Sequence, residues 1–540
     1  MNDRLMHRND FILSNESRLQ DLAGVFFLIL AGFVYLSHLA FLPLNVETDE
    51  ARRALVSLEM ELSGNYSTPT LNGEIYLNKP PLYNWIVVVF AKLFGGFSMF
   101  NFRLPVIISS IGLAITVFWF TKKYLGKTIA FFTAFAFLTN GRLLIYDSFN
   151  GLIDTTFSWL VYTGFMLVYH FGEKKKWYSL FIFTYLIVAA GFLLKGFPSL
   201  VFQGLTLLTY FIWKKKFRLL FHPAHFIGFG VFLLIVGGYY FYYFSVNDLE
   251  PQALFSNLIN ESTKRTVAQR AIKESIINLF TFPFEVLYHF APWTILIIAT
   301  FNQNVKSLIK GNSFVHYSLL VFIVNLVVYW VSPGTFARYL FMFLPLLYSI
   351  LFFLFFSLSS NSWQHKTVRI IAIVSSLIML LTFLVLPFLN VEIVTSDKWI
   401  KSYALVIIFA AIFFIILKYK KLYLYGFVLA VIVFRMGFNW FILEPRKKDF
   451  EIAEVVSKKI AEETKGKSLF ILRDAQVGNF DGMSFHIAKG RKEVLKFNDQ
   501  KLPGVFYIAD NRQLEKENYT SFIHFKNYLS DSLQLVQFNK

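Results

Sequence analysis

Long apolar runs recur along this chain, separated by short polar stretches that are alternately basic and mixed. A helix that crosses a bilayer needs about 20 mostly apolar residues, with roughly 17–25 as the range. Thirteen stretches are candidates: about 22–42, 104–120, 128–145, 152–170, 179–194, 199–213, 226–244, 285–301, 315–331, 338–357, 370–389, 402–417 and 422–443. Every second connection is basic. Lys122, Lys123 and Lys127 follow the second run, Lys174 to Lys176 the fourth, and Lys214 to Lys216 with Arg218 the sixth. Lys306 and Lys310, then Lys366 and Arg369, then Lys418, Lys420 and Lys421 continue the series. Cytoplasmic loops carry such an excess of Lys and Arg. The pattern predicts a cytoplasmic N-terminus, thirteen crossings and an outside C-terminus. The first run lacks a small-residue cleavage site, so it reads as a retained helix and not a removed signal peptide.

Two regions break this rhythm. Residues 43–103 form an outside loop whose charged and turn-forming residues a simple connection would not need. Asp49 can cap a helix with Ala51, Ala54, Leu55, Leu58 and Leu62 at helical spacing, suited to the interface plane. Gly64 ends it, and Pro80-Pro81 starts a second helix to about Leu93, too short to span. From Glu444 the composition turns polar. A helix is expected over 449–465, with strands at Ser468–Leu472 and Val505–Ala509. The chain thus divides into a membrane domain, 1–443, and a soluble α/β domain outside the membrane, 444–540.

Composition narrows the class. Of 540 residues, 56% are hydrophobic and only 16% charged, below the usual quarter for soluble domains. There is no cysteine, which excludes disulfides, thiolate catalysis and Cys-bound metals. The net charge of +18 sits in the clusters between apolar runs. That is membrane topology plus attraction to anionic lipid, not nucleic-acid binding.

Charged residues within or beside apolar runs are the candidates for chemistry. Asp49 and Glu50 are adjacent carboxylates at a helix start, where a general base and a capping, dipole-complementing role both fit. Asp154 lies in the first turn of an apolar run, where an ionised carboxylate costs a few kcal/mol and must face the bundle interior or a wet cavity. Its bland reading is a pairing with Arg142 or Arg103, while Asp147 reads as a solvated or capping residue. Lys79, Arg103, Lys195, Arg265 and Arg338 all fall at outside ends of runs or in outside loops. Lys195 interrupts A-A-G-F-L-L-K-G-F-P where the cytoplasmic bias supplies no reason for a cation. Convergent cations at a membrane face suit a phosphate-bearing lipid; snorkelling to head groups is the alternative for each singly. His289 reads as packed.

The loop T-D-E-A-R-R-A…Y-L-N-K-P-P-L-Y-N-W, with N-F-R-L-P, L-K-G-F-P and A-R-Y-L-F-M-F-L-P, resembles the aminoarabinose transferase/protein mannosyltransferase type of membrane glycosyltransferases. The resemblance covers roughly residues 20–350. It implies an all-α polytopic C-type glycosyltransferase fold, a polyprenyl-phosphate sugar donor, and a lipid (lipid A-like) or protein acceptor met at the outer face of the cytoplasmic membrane. It further implies Asp49 as the catalytic loop residue, with Glu50 beside it and Asp154 as a second carboxylate. Lys79 would hold the donor phosphate and Arg103 would support the loop carboxylates. Lys195, Arg265, Arg338 and Tyr339 would lie near the donor path. The sequence departs from the family at Asn78, where a Glu is common, and at Ser262, where His is frequent. Both are poor zinc ligands, which argues against a divalent metal, and no other cofactor is implied. Two rivals remain: a transporter or flippase for a lipid-linked anionic sugar, and an oligosaccharide polymerase or ligase.

Overall fold

The apolar runs fold as helices. A computed structural model of the chain describes residues 21–44, 49–264, 272–389, 397–475, 480–515, 517–526 and 532–539. Among these, seven helices are long and apolar enough to cross a membrane: Met99–Leu125, Trp177–Lys195, Pro223–Val246, Ser313–Trp330, Trp363–Phe388, Lys398–Lys418 and Tyr423–Lys447. Shorter apolar helices cover Asp21–Leu36, Lys127–Leu138, Pro198–Trp213 and Leu344–Phe356. The chain is a multi-pass, mostly helical membrane protein. Each of the thirteen expected runs overlaps a helix, but the run at 285–301 does not form one straight crossing. There, helices Ile272–His289 and Trp293–Thr300 meet at 119°. Pro292, which has no amide hydrogen to donate, separates them.

Most elements that build the site lie in the first half, and the turn with Arg338 and Tyr339, Ala337–Leu340, comes later. The early ones are α1 (Asp21–Leu36), α2 (Asp49–Ser63), α3 (Leu82–Leu93), α4 (Met99–Leu125), α5 (Lys127–Leu138), α6 (Asp154–Glu173), α7 (Trp177–Lys195) and α8 (Pro198–Trp213). A 27-residue helix such as α4 is about 40 Å long, enough to span. α3, with 12 residues, reaches only about 18 Å and does not. α4 starts at Ser98, whose side chain accepts the Asn101 amide, and ends with Lys122 and Lys123 against its negative end.

α2 departs from the expected surface helix. Ala51, Ala54, Leu55 and Leu58 do face the bundle core. However, Val56 and Met60 on another face are also buried, against Tyr76 and Val88. The helix is therefore enclosed and does not float in the interface. A two-stranded hairpin, β1 (Thr70–Leu71) with β2 (Glu74–Ile75), closes part of it. Asn72 and Gly73 make its turn at φ 51° and 77°, the left-handed geometry that an Asn-Gly pair favours. The buried Glu59 carboxylate clamps that turn, accepting from Thr70 Oγ1 (2.6 Å) and from the Asn72 and Gly73 amides (2.7 and 3.2 Å). Burial raises its pKa.

The polar C-terminal region folds as expected, with more in it. Helix Glu444–Glu463 continues the last apolar helix without a linker. Strands β3 (Leu469–Leu472), β4 (Lys496–Asn498), β5 (Phe506–Asp510), β6 (Tyr519–Lys526) and β7 (Ser532–Phe538) form one sheet in the order β4-β3-β5-β7-β6. β3 lies parallel to β4 and β5, while β7 pairs antiparallel with β5 and β6. A helix, Asp481–Arg491, joins β3 to β4 and rests on α2.

Candidate functional site

Two helix ends bring the central charges together. Asp154 opens α6 and Lys195 closes α7. Each charge complements its own helix dipole, the anion at the amino end and the cation at the carboxyl end. The hairpin of α6 and α7 sets these ends side by side, and Lys195 Nζ lies 2.6 Å from Asp154 Oδ1. Arg338, on a short turn at Ala337–Leu340, reaches the other oxygen, Nε to Oδ2 at 2.9 Å. Lys195 also lies over the Tyr339 ring, 3.9 Å from its centroid. Asp154 is thus buried with two cations, and the cluster has an excess of positive charge. Arg142 and Arg103 are not its partners. Arg142 Nε pairs with Asp147 Oδ2 at 2.7 Å, and that makes Asp147 a buried ion-pair member instead of a solvated cap.

A cavity of about 270 Å³ opens beside this cluster. Lys79, Lys195, Tyr339 and Glu261 provide its polar lining, and Phe197, Val201, Phe202, Ile259 and Val328 much of its apolar wall. Two lysines and a largely apolar wall in one cavity suit an amphiphile with an anionic head. Lys79 Nζ stands 3.6 Å from Glu261. Burial, and then the Arg53 charge, push its ammonium down to about 8 while Glu261 opposes.

Asp49 sits at the start of α2, beside Arg52 (3.6 Å) and with its side chain about half exposed. Burial pushes its pKa up, yet the Arg53 and Arg52 charges outweigh it and hold the carboxyl below its usual value. Asp154 and Arg338 act on it as well, which brings it into the same electrostatic neighbourhood. It remains a carboxylate across the physiological pH range.

Glu50 and Arg103 have a different place from the one expected. Arg103 Nε and Nη2 meet the two Glu50 oxygens at 2.7 and 3.0 Å. Its remaining donors go to the carbonyls of Leu39, Leu42 and Pro43. Glu50 also accepts the Gly151 amide at 2.7 Å. A Cβ at Gly151 would meet Phe102 at 2.2 Å, so only glycine lets this approach form. Both side chains are essentially fully buried. Neither residue lines the cavity, and Arg103 meets a loop carboxylate, the contact that the resemblance implied for it. Arg265 lies outside the described residues.

Several contributors were not foreseen as site residues. Arg53 is buried, donates to the Tyr76 hydroxyl at 2.8 Å, and acts on both Asp49 and Lys79. Glu261 balances Lys79 and Lys264. The adjacent arginines of D-E-A-R-R were the available signal for Arg53. Among the described residues, no three His, Asp or Glu side chains gather as metal ligands. Glu261 is taken up by lysines, and Ser262 donates to the Leu258 carbonyl at 2.8 Å. These groups do not suit a divalent ion.

Residues 78–240 match the family model for dolichyl-phosphate-mannose-protein mannosyltransferases. The undecaprenyl phosphate-alpha-4-amino-4-deoxy-L-arabinose arabinosyl transferase 1 of Proteus mirabilis (strain HI4320) is 29% identical over 197 residues, 34% of this chain and 35% of that protein. A second such transferase, from Pseudomonas fluorescens, is 25% identical over 375 residues, 68% of this chain and 61% of that protein. The chain thus matches about a third of the length of the first of these relatives. The crystal structure of ArnT from Cupriavidus metallidurans bound to undecaprenyl phosphate superposes with a TM-score of 0.69 at 17% identity, covering 95% of this chain and 97% of that one. That likeness is one of fold. The resemblance to the aminoarabinose transferase/protein mannosyltransferase type, drawn from the first loop, is supported by the family model and by both relatives.

Proposed function

We propose that this chain is a membrane glycosyltransferase that moves a sugar from a polyprenyl-phosphate donor to a lipid (lipid A-like) or protein acceptor. The observation that carries this is the cavity that Lys79, Lys195 and Tyr339 share with an apolar wall, next to Asp154 and Arg338. Breaking the bond between sugar and phosphate leaves charge on the lipid phosphate. Fixed cations in a water-poor site offset that charge as it develops. The sugar passes through an oxocarbenium-like state. Where the acceptor is a hydroxyl, Asp49 takes its proton. Where the acceptor is an ionised phosphate, no base is needed and Asp49 orients or stabilises electrostatically. Glu50 and Arg103 hold α2 so that Asp49 faces this chemistry. Undecaprenyl phosphate, named for the relatives, is the donor carrier we infer here.

The membrane reading has a finer part. We place thirteen crossings in the cytoplasmic membrane of a bacterium, with loop 43–103 and the 444–540 unit outside. Single cysteines at Lys175, Lys215 and Asn539 test it, since no native cysteine competes. Labelling of Asn539Cys from outside supports it, and labelling only from the cytoplasm overturns it.

The decisive assay is transfer of radiolabelled sugar from a polyprenyl-phosphate donor by purified protein in proteoliposomes. Wild-type protein that moves the lipid across the bilayer and transfers no sugar from any such donor would establish the transporter instead. Transporters of that kind use paired broken helices at a midplane. Among the described residues one bent pair is present, Ile272–His289 with Trp293–Thr300.

A further inference from the structure

Helix Asp481–Arg491 lies on α2, although 429 residues separate Arg52 from Asp481. Asp481, Phe485, Ala488 and Lys489 recur at spacings of three, four and eight, which puts them on one helix face. Phe485 and Ala488 are fully buried and join the apolar core of the bundle, not that of the sheet. Lys489 Nζ donates to the Phe97 carbonyl at 2.5 Å, and Arg473 meets Glu74 on the hairpin at 2.6 Å. An apolar plug with polar contacts on either side therefore seats the α/β unit over the loop. At the inner end, Arg52 is shared. Its Nε donates to Asp481 Oδ2 at 3.1 Å, and its Nη1 is 3.6 Å from Asp49 Oδ1. A free arginine side chain samples many rotamers. Anchored at Nε by Asp481, the guanidinium holds Nη1 on the side of Asp49.

We propose that Asp481 is a positioning residue for the transfer reaction: through Arg52 it fixes the placement and electrostatic surroundings of Asp49, which makes the C-terminal α/β unit part of the working site. This rests on the reading of Asp49 as the site carboxylate. The charges acting on Asp49 are Arg53, Arg52, Asp154 and Arg338. Those acting on Asp481 are Arg52, Asp49 and Arg53. Asp481 is itself raised by burial, against Arg52. Removing its charge leaves Arg52 less compensated, so the Asp49 carboxyl falls further and the acidic limb of the rate profile moves to lower pH.

The test uses full-length protein in proteoliposomes, with kcat, donor KM and pH profile measured per folded molecule. Residues coupled through a shared partner give non-additive effects of roughly 2- to 150-fold. Asp481→Asn should lower kcat by about 3- to 30-fold within that range, leave donor KM nearly unchanged, and shift the acidic limb downward. Asp481→Glu should restore most of the rate. Arg52→Gln and the double variant Arg52→Gln/Asp481→Asn should match each other. The proposal is overturned if Asp481→Asn keeps wild-type kcat and pH profile per folded molecule, if Asp481→Glu fares no better than Asn, or if the single effects multiply. A wild-type protein without transfer would remove the functional reading instead. An active Asp49→Asn would remove Asp49. With an active wild type and a dead Asp49→Asn, any one of the three overturning results at Asp481 removes this proposal alone.

Discussion

Glu50–Arg103 and Asp154–Lys195–Arg338 are both buried carboxylate clusters, and they differ in what is left over. In the first, one anion meets one cation, and the guanidinium's other donors end on three carbonyls. The charge balances, and neither residue lines the cavity beside Lys79 and Lys195. In the second, one anion faces two cations, and one of those cations lines a cavity with Lys79. A balanced pair sealed from water serves to hold backbone. An unbalanced cluster beside a cavity serves to hold something with the missing charge. Asp49 and Glu50 show the same contrast between neighbours. One residue turns inward to a brace, and the next stays half exposed beside two arginines.

The contrast is broken most sharply at Asp49. Asp49→Asn keeps the shape and the capping ability, so the protein should insert and fold while sugar transfer falls by about 10²–10⁴-fold, the range for a lost general base. Wild-type transfer rates would return Asp49 to a capping role. On the other side, Arg103→Ala leaves Glu50 buried and unpaired. Breaking a buried pair from one side costs about 3–5 kcal/mol. The expected readout is a large loss of thermal stability and yield in detergent; an equally stable variant with impaired donor binding would move Arg103 into the site.

Lys79→Ala should cost the charge-assisted contact, about 1.5–3 kcal/mol, or roughly 10- to 150-fold in donor affinity. Titrating the donor lipid phosphate by intrinsic fluorescence or calorimetry measures it. The smallest effect is a pH slope in the wild type. The Lys79 ammonium is pushed down to about 8, so it is charged below that pH and neutral above it. Donor affinity should therefore fall as pH rises through about 8, by up to tenfold per unit, and the slope should vanish in Lys79→Arg. A slope that persists there belongs to another group.

The sequence made one side of this contrast more legible than the other. Asp154, Lys195 and Arg338 stand in apolar surroundings where a charge is costly without a reason, so each announces itself. The helical character of the apolar runs and the α/β tail follow from the same apolar–polar alternation, while seven helices among the described residues are long and apolar enough to cross a membrane. The roles of Glu50, Arg53, Glu59 and Asp147 are set by partners that periodicity cannot choose. Glu50 answers to a guanidinium 53 residues on and to a glycine 101 residues on. The enclosure of α2 was hidden for the same reason, since part of its cover comes from helix Asp481–Arg491 at the far end of the chain. The Asn-Gly turn at 72–73 was readable and would have placed Glu59 near a hairpin.

That cover has a consequence for synthesis. The 429 residues between Arg52 and Asp481 take roughly 20–90 s to translate at 5–20 residues per second. Throughout that interval Arg52 lacks its Asp481 contact and the seat for Phe485 is empty. A nascent chain is therefore incomplete at its working surface until almost the last tenth has emerged. A chain that stops between Lys447 and helix Asp481–Arg491 therefore keeps every apolar helix of the bundle and lacks the two side chains, Phe485 and Ala488, that fill the apolar seat beside the loop.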